Sequence, residues 1–228
     1  MPWTAWVSLW VAVCIGAGSL SSAAAETGRP VIERRSYLET TGSQVVPIEY
    51  EIERGDQIVI RVQRDEENFY NRCEPSGATI EWHYRGKAAD VRAHREGRTL
   101  VVQGHRHDKP FQKRHRIDEA PWFQPLSYAL QPFLRSVQPT VYFWLIRADN
   151  FEPIKLKAEH SGTAEILIDG RRYSSSRIDV SPGGPLSFVW RGRYWFGESD
   201  AVFLQYVGGQ LLSGASDTVI RIRPVADD

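Results

Sequence analysis

The chain has 228 residues, 42% hydrophobic and 25% charged, and its 28 Lys and Arg balance 28 Asp and Glu. That composition excludes a disordered chain, and zero net charge excludes a global field drawing the protein to nucleic acid or to a membrane surface. Two cysteines exclude a disulfide-stapled scaffold, so a folded chain of this size must rest on its core.

Residues 1–25 carry no charged side chain, run apolar from Trp6 to Gly18, and end Ala23-Ala24-Ala25 before Glu26. This pattern predicts an export signal cleaved after Ala25, because the apolar run is shorter than the ~20 residues a spanning helix needs. Its first residues hold no Lys or Arg, which leaves the terminal amine as their positive charge. Cys14 follows the bulky Val13, which argues against lipid modification. Cleavage leaves residues 26–228, a length suited to a single β-rich domain that does not span a membrane. Cys73 is then the remaining cysteine; it reads as a small buried hydrophobe or as a reactive thiol.

Alternation with period 2 dominates from there. Val45, Ile48, Tyr50 and Ile52 lead through Arg54-Gly55-Asp56-Gln57 into Ile58, Ile60 and Val62, which predicts a hairpin. Residues 79–84, 88–93 and 99–103 repeat the pattern across Arg85-Gly86-Lys87 and Glu96-Gly97-Arg98. Connections this short favour antiparallel neighbours, since parallel strands need a crossover of a dozen residues or more.

The stretch 92–116 holds eight basic residues against Glu96 and Asp108, a local excess of six positive charges. Arg106, Lys109, Lys113 and Arg114 read either as a solvated strand face or as contacts for an anionic headgroup or glycan phosphate. His105 and His107, two apart, are weak metal candidates, because residues i and i+2 of a strand share a face; their cationic neighbours oppose a metal ion. No metal and no cofactor is expected.

Between residues 120 and 137 the period changes. Trp122, Leu126, Ala129, Phe133 and Val137 fall at helical spacing, with Phe123, Leu130 and Leu134 widening the stripe. Pro121 suits a first helical turn, whereas Pro132 interrupts a continuous helix, so two short pieces are predicted. An apolar helix among strands suggests a plug packed on the concave face of a sheet.

Strands resume over 141–146, 154–158, 163–168, 178–180, 186–190, 202–207 and 218–222, with turns at Asp169-Gly170, Ser181-Pro182-Gly183-Gly184 and Gly197-Glu198-Ser199-Asp200. The predicted fold is mainly β: a curved antiparallel sheet of 11–12 strands, half-barrel or barrel-like, with a short helical plug.

Two stretches carry a resemblance. Arg116-Ile117-Asp118-Glu119-Ala120-Pro121-Trp122-Phe123-Gln124, followed by Phe143-Trp144-Leu145-Ile146-Arg147, is the first. Glu165-Ile166-Leu167-Ile168-Asp169-Gly170, Phe188-Val189-Trp190, Tyr194-Trp195-Phe196 and Phe203-Leu204-Gln205-Tyr206 form the second. Together, over residues 98–222, they resemble a group of uncharacterised exported bacterial β-rich proteins, and the resemblance implies a periplasmic location. By fold analogy the predicted architecture is also similar to the periplasmic lipoprotein-carrier fold, in which a curved sheet cups acyl chains.

No Gly-x-Ser-x-Gly elbow, His-Glu-x-x-His motif or phosphate-cradling glycine loop occurs, and the carboxylates show no acid–base spacing. Three functions stay open. The first is a non-enzymatic periplasmic module that holds a lipid or other amphiphile, with Trp122, Phe123 and Phe133 on the plug and Trp144, Trp190 and Trp195 on the sheet. The second is an envelope interaction or scaffolding protein without a pocket. The third is a hydrolase of an envelope polymer, the reading with least support.

Overall fold

A computed structural model describes residues 31–183, 190–210 and 217–223. The leader 1–25, residues 186–189 of one predicted strand, and Gly184 of the loop before it lie outside the described residues.

The first half of the chain is a run of strands: β1 (Val31–Thr41), β2 (Gln44–Arg54), β3 (Ile58–Arg64), β4 (Glu67–Cys73), β5 (Thr79–Gly86), β6 (Ala89–Glu96), β7 (Thr99–Arg106) and β8 (Lys109–Arg116). Two single-turn helices follow, α1 (Leu126–Ala129) and α2 (Gln131–Leu134). The second half comprises β9 (Thr140–Ile146), β10 (Pro153–Ile168), β11 (Arg171–Pro182), β12 (Trp190–Gly197), β13 (Phe203–Gln210) and β14 (Thr218–Ile222).

These form one 14-stranded antiparallel sheet in the order β8-β7-β6-β5-β4-β3-β2-β1-β14-β13-β12-β11-β10-β9. Each half is a meander, as the short turns require, and the halves join where β1 pairs with β14, from Tyr37↔Ile222 to Thr41↔Thr218. The sheet is not closed: β8 and β9 are its two edges. Turn chemistry accounts for the tight reversals. His107 and Asp108 have φ of 47° and 61°, Asp169 and Gly170 of 47° and 79°, the left-handed pairs that a two-residue hairpin loop needs.

Among the described residues fourteen strands stand where 11–12 were predicted. β1, β4 and β8 are additions that hide their alternation behind polar residues, and β12 shares only Trp190 with the predicted strand 186–190. β8, Lys-Pro-Phe-Gln-Lys-Arg-His-Arg, has one large apolar residue because an edge strand covers little core. In the other direction, two predicted strands merge into the 16-residue β10, bent by a register shift between His160 and Thr163. Ser181 and Pro182, predicted as loop, end β11 opposite Lys157 and Leu156.

The helical stretch divides as Pro132 demands, with that proline in the first turn of α2. Residues 120–125 are not helical. Ala120 and Gln124 each precede a proline, which disfavours the α conformation, and this backbone makes sheet-like hydrogen bonds instead. Val137, expected on the apolar stripe, is fully exposed.

One segment, residues 117–134, touches all three parts of the core. Ile117 and Trp122 join Trp82, Tyr84, Leu100, Val102 and Phe151. Tyr128 joins Ile52, Ile58, Ile60 and Cys73. Phe123, Leu126, Leu130 and Phe133 join Tyr37, Ile48, Phe143, Leu156, Phe196 and Phe203. Strands from distant parts of the sheet meet the same short plug, so the sheet must curve around it. Gly77, at φ 88°, admits the plug: a Cβ there would collide with the backbone of Ala129.

Cys73 is fully buried, and burial pushes its thiol up to about 11. It behaves as the small core hydrophobe of the first reading.

Candidate binding cavity

The segment between β8 and α1 bridges the two halves of the sheet. The Trp144 N–H donates to Pro121 O (2.8 Å), the Phe123 N–H to Trp144 O (2.9 Å), and the Thr79 N–H to Trp122 O (2.7 Å). Backbone on the β5 side and backbone of β9 are therefore tied through a strip of three residues. Asp118 fastens its start, accepting from Trp144 Nε1 (2.8 Å) and from Lys155 Nζ. Those two donors, Lys155 foremost, hold the Asp118 carboxyl down at about 2.

Beside this strip lies a cavity of about 340 Å³, between the concave face of β1–β5, the start of α1, the end of β9, and β12–β14. Its walls are mostly apolar or aromatic, among them Ile48, Val62, Phe69, Trp82, Leu126 and Phe203. Alternation accounts for that: Ile48, Tyr50 and Ile52 of β2, Ile58, Ile60 and Val62 of β3, and Phe69, Asn71 and Cys73 of β4 all point to the inner face.

Three phenols add polarity without charge. Tyr50, Tyr194 and Tyr206 line the cavity, and burial raises all three, Tyr206 to about 12, so each stays protonated. Tyr50 accepts a hydrogen bond from Ser127 of α1 (3.3 Å).

Arg64 and Glu39 supply the charged part of the wall. Arg64 donates to both oxygens of Glu39 (2.8 and 2.6 Å) and to Glu67 (2.5 Å), and Tyr84 donates to the other Glu67 oxygen (2.7 Å). The two carboxylates raise the Arg64 guanidinium further above its ordinary range. A bidentate pair of this kind is rigid, and it leaves Arg64 engaged from two sides. Arg147, also in the wall, is engaged by Asp149 (3.0 and 2.5 Å).

Asn71 differs from all of these. It is 3% exposed, lines the cavity, and its Oδ1 has no hydrogen-bond partner among the described residues.

None of the six aromatic residues expected to hold a ligand is in the lining of this cavity. Trp122 is fully buried, Phe123 stacks on Phe143 (5.2 Å), and Phe133 packs on His160 (4.4 Å). Trp144 is half-buried on β9 beside the strip, Trp190 is half-buried, and Trp195 is buried. The residues that do line it, Tyr50, Asn71, Trp82, Glu39 and Arg64, were not singled out from the sequence. Their signal was present as inner-face parity on β1–β5, with Asn71 the polar exception between Phe69 and Cys73.

Three of the four basic residues have partners of their own. Lys113 donates to Glu152, Arg114 to Glu96 (2.7 Å), and Arg106 sits over the Phe151 ring (5.9 Å). Lys109 is exposed at the start of β8. His105 lies on β7 whereas His107 lies in the following turn, so the two do not share a strand face. Among the described residues no three His, Cys, Asp or Glu side chains are grouped to hold a metal ion. On the outer face of the same strands a wider depression of about 460 Å³ is bordered by Arg34, Glu51, Arg61 and Arg85. Its charges pair with neighbours, as Arg34 and Arg61 do with Glu51 (3.2 and 3.3 Å).

No family model and no curated protein matches the chain. Among solved structures it is similar to a β-barrel-like protein of the domain of unknown function DUF1849 from Brucella abortus, at 11% identity and a TM-score of 0.55, over 86% of this chain and 100% of that one. A DUF1329 family protein from Desulfovibrio piger also aligns, at 10% identity and a TM-score of 0.28, over 87% of this chain and 85% of that one. The fold is thus one found among β-rich, barrel-like proteins of unknown function, in line with the resemblance read from residues 98–222. Among the described residues no helix is long and apolar enough to cross a membrane.

Proposed function

We propose that the protein is a non-enzymatic binding or carrier module that holds a small amphiphile in the cavity between its curved sheet and α1. The observation that carries this reading is the cavity itself: about 340 Å³ of mostly apolar and aromatic wall with a few fixed polar groups, the composition of a ligand pocket. Trp122, Phe123, Phe133 and Trp144 support it from behind, as packing that holds the strip and the plug in place. The leader supports export, with cleavage after Ala25 and work in the periplasm; amino-terminal sequencing of protein recovered from a periplasmic fraction tests that part.

Native mass spectrometry after gentle purification tests the binding. The expected result is a co-purified amphiphile, or a change in tryptophan fluorescence on adding one, since Trp82 lines the cavity. A bare chain whose fluorescence ignores alcohols, alkanes and fatty acids alike overturns the reading.

A further inference from the structure

Resting on the carrier reading, we propose that Asn71 is the anchor of the ligand's polar group, and that the ligand is an uncharged amphiphile whose hydroxyl or amide enters the cavity first. Asn71 stands between Ile60 and Trp82 on the neighbouring strands, both essentially fully buried. A carboxamide in such surroundings is costly unless its hydrogen bonds are made, and Oδ1 makes none within the described chain. Its neighbours across the strands are the Ile60 side chain and the Trp82 indole, and neither bonds to Oδ1. Asn71 lines the cavity, and a partner for its carboxamide has a route to it from that side.

The chemistry of that group follows from the wall. Oδ1 needs a donor, and after a half-turn of the amide the NH₂ needs an acceptor, so a hydroxyl or an amide, which is both, suits the site in either orientation. A carboxylate does not. Arg64 and Arg147, the two guanidinium groups in the wall, are already engaged by Glu39, Glu67 and Asp149, so neither is free to pair with an incoming anion. The tyrosines stay neutral and offer no compensating charge. Size is set by volume: at about 30 Å³ for each water-sized group, the cavity takes on the order of ten non-hydrogen atoms. A linear alcohol of nine carbons is of that size.

Binding of 1-nonanol, nonane and nonanoate to the full chain, each followed by tryptophan fluorescence and by the side-chain NH₂ resonances of Asn71, tests the proposal. The wild type is expected to bind 1-nonanol about tenfold more tightly than nonane and more tightly than nonanoate, with the Asn71 resonances moving for the alcohol alone. Asn71→Leu is expected to bind alcohol and alkane equally and to unfold at the same or a higher temperature, because an unpaired carbonyl has been removed. Asn71→Ala, which cannot overfill the site, is expected to lose the same preference.

Equal wild-type affinity for alcohol and alkane overturns the anchor while leaving the carrier reading in place. So does an unchanged preference in either variant, or a variant that loses stability but keeps the preference. Failure of all three probes to bind overturns the carrier reading and the anchor with it.

Discussion

The side chain of Gln124 pairs with the backbone of Ile146 as a neighbouring strand would: its Nε2 donates to Ile146 O (2.8 Å), and the Ile146 N–H donates to its Oε1 (3.0 Å). The same Oε1 accepts from the Trp122 indole (3.0 Å). One amide thereby extends the strip at residues 121–123 by a strand-like contact, just where the cavity begins. Gln124→Leu strands both Ile146 groups and is expected to cost roughly 2–4 kcal/mol in urea denaturation. An unchanged midpoint would show that the strip holds without it.

Asp118 makes the start of the strip acid-sensitive. Its carboxyl is held near 2 by Lys155 and Trp144, below its ordinary value, so its contribution is present above an unfolded-state value of 3.8 and is lost as pH falls through about 2. Asp118→Asn should therefore lower the melting temperature by a constant amount above about pH 5, and the gap should close between about pH 4 and pH 2. A gap independent of pH across that range would rule the ion pair out as its origin.

Phe133 is 6% exposed in the largest core cluster, against His160. Phe133→Asp removes an aromatic and buries a carboxylate, with an expected loss on the order of 3–5 kcal/mol for the ring alone. Retained thermal stability would mean that α2 does not hold the plug.

Replacing Arg106, Lys109, Lys113 and Arg114 together by Gln tests the basic stretch. Three of the four already have partners within the chain, and partly exposed pairs of this kind contribute about 0–1 kcal/mol each. A small loss of stability is expected, with equal retention of variant and wild type on anionic vesicles at low salt, where screening is weakest. Weaker retention of the variant would instead establish a docking surface on β8.

Filling the cavity separates its role from that of the fold. Val62→Phe projects a ring into the space beside Tyr50 and Phe69, and is expected to weaken 1-nonanol binding more than tenfold while the far-ultraviolet circular dichroism is kept. Undiminished binding would place the ligand elsewhere.

The features legible in the sequence are local ones. Period-2 alternation with glycine turns dictates an antiparallel meander, Asp169-Gly170 is the hairpin turn it promised to be, and Pro132 divides the plug into α1 and α2. The inward parity of Ile48, Tyr50 and Ile52 already marks one wall of the cavity. Polar strands escaped this reading: β4 and β8 have few apolar residues to alternate, and residues 120–125 imitate a helical stripe while their prolines keep the backbone extended.

Sequence by itself determined the mainly β class, the antiparallel connectivity and the two-piece plug, because period, turn chemistry and proline act over a few residues. Tertiary structure alone decided that β1 pairs with β14, that residues 121–124 tie the β5 side of the sheet to β9, and that Glu39, Tyr50, Asn71, Trp82 and Tyr206 share one cavity. Those contacts join residues far apart along the chain, and they form only once the whole sheet has curved around a plug that each half touches with its inner face.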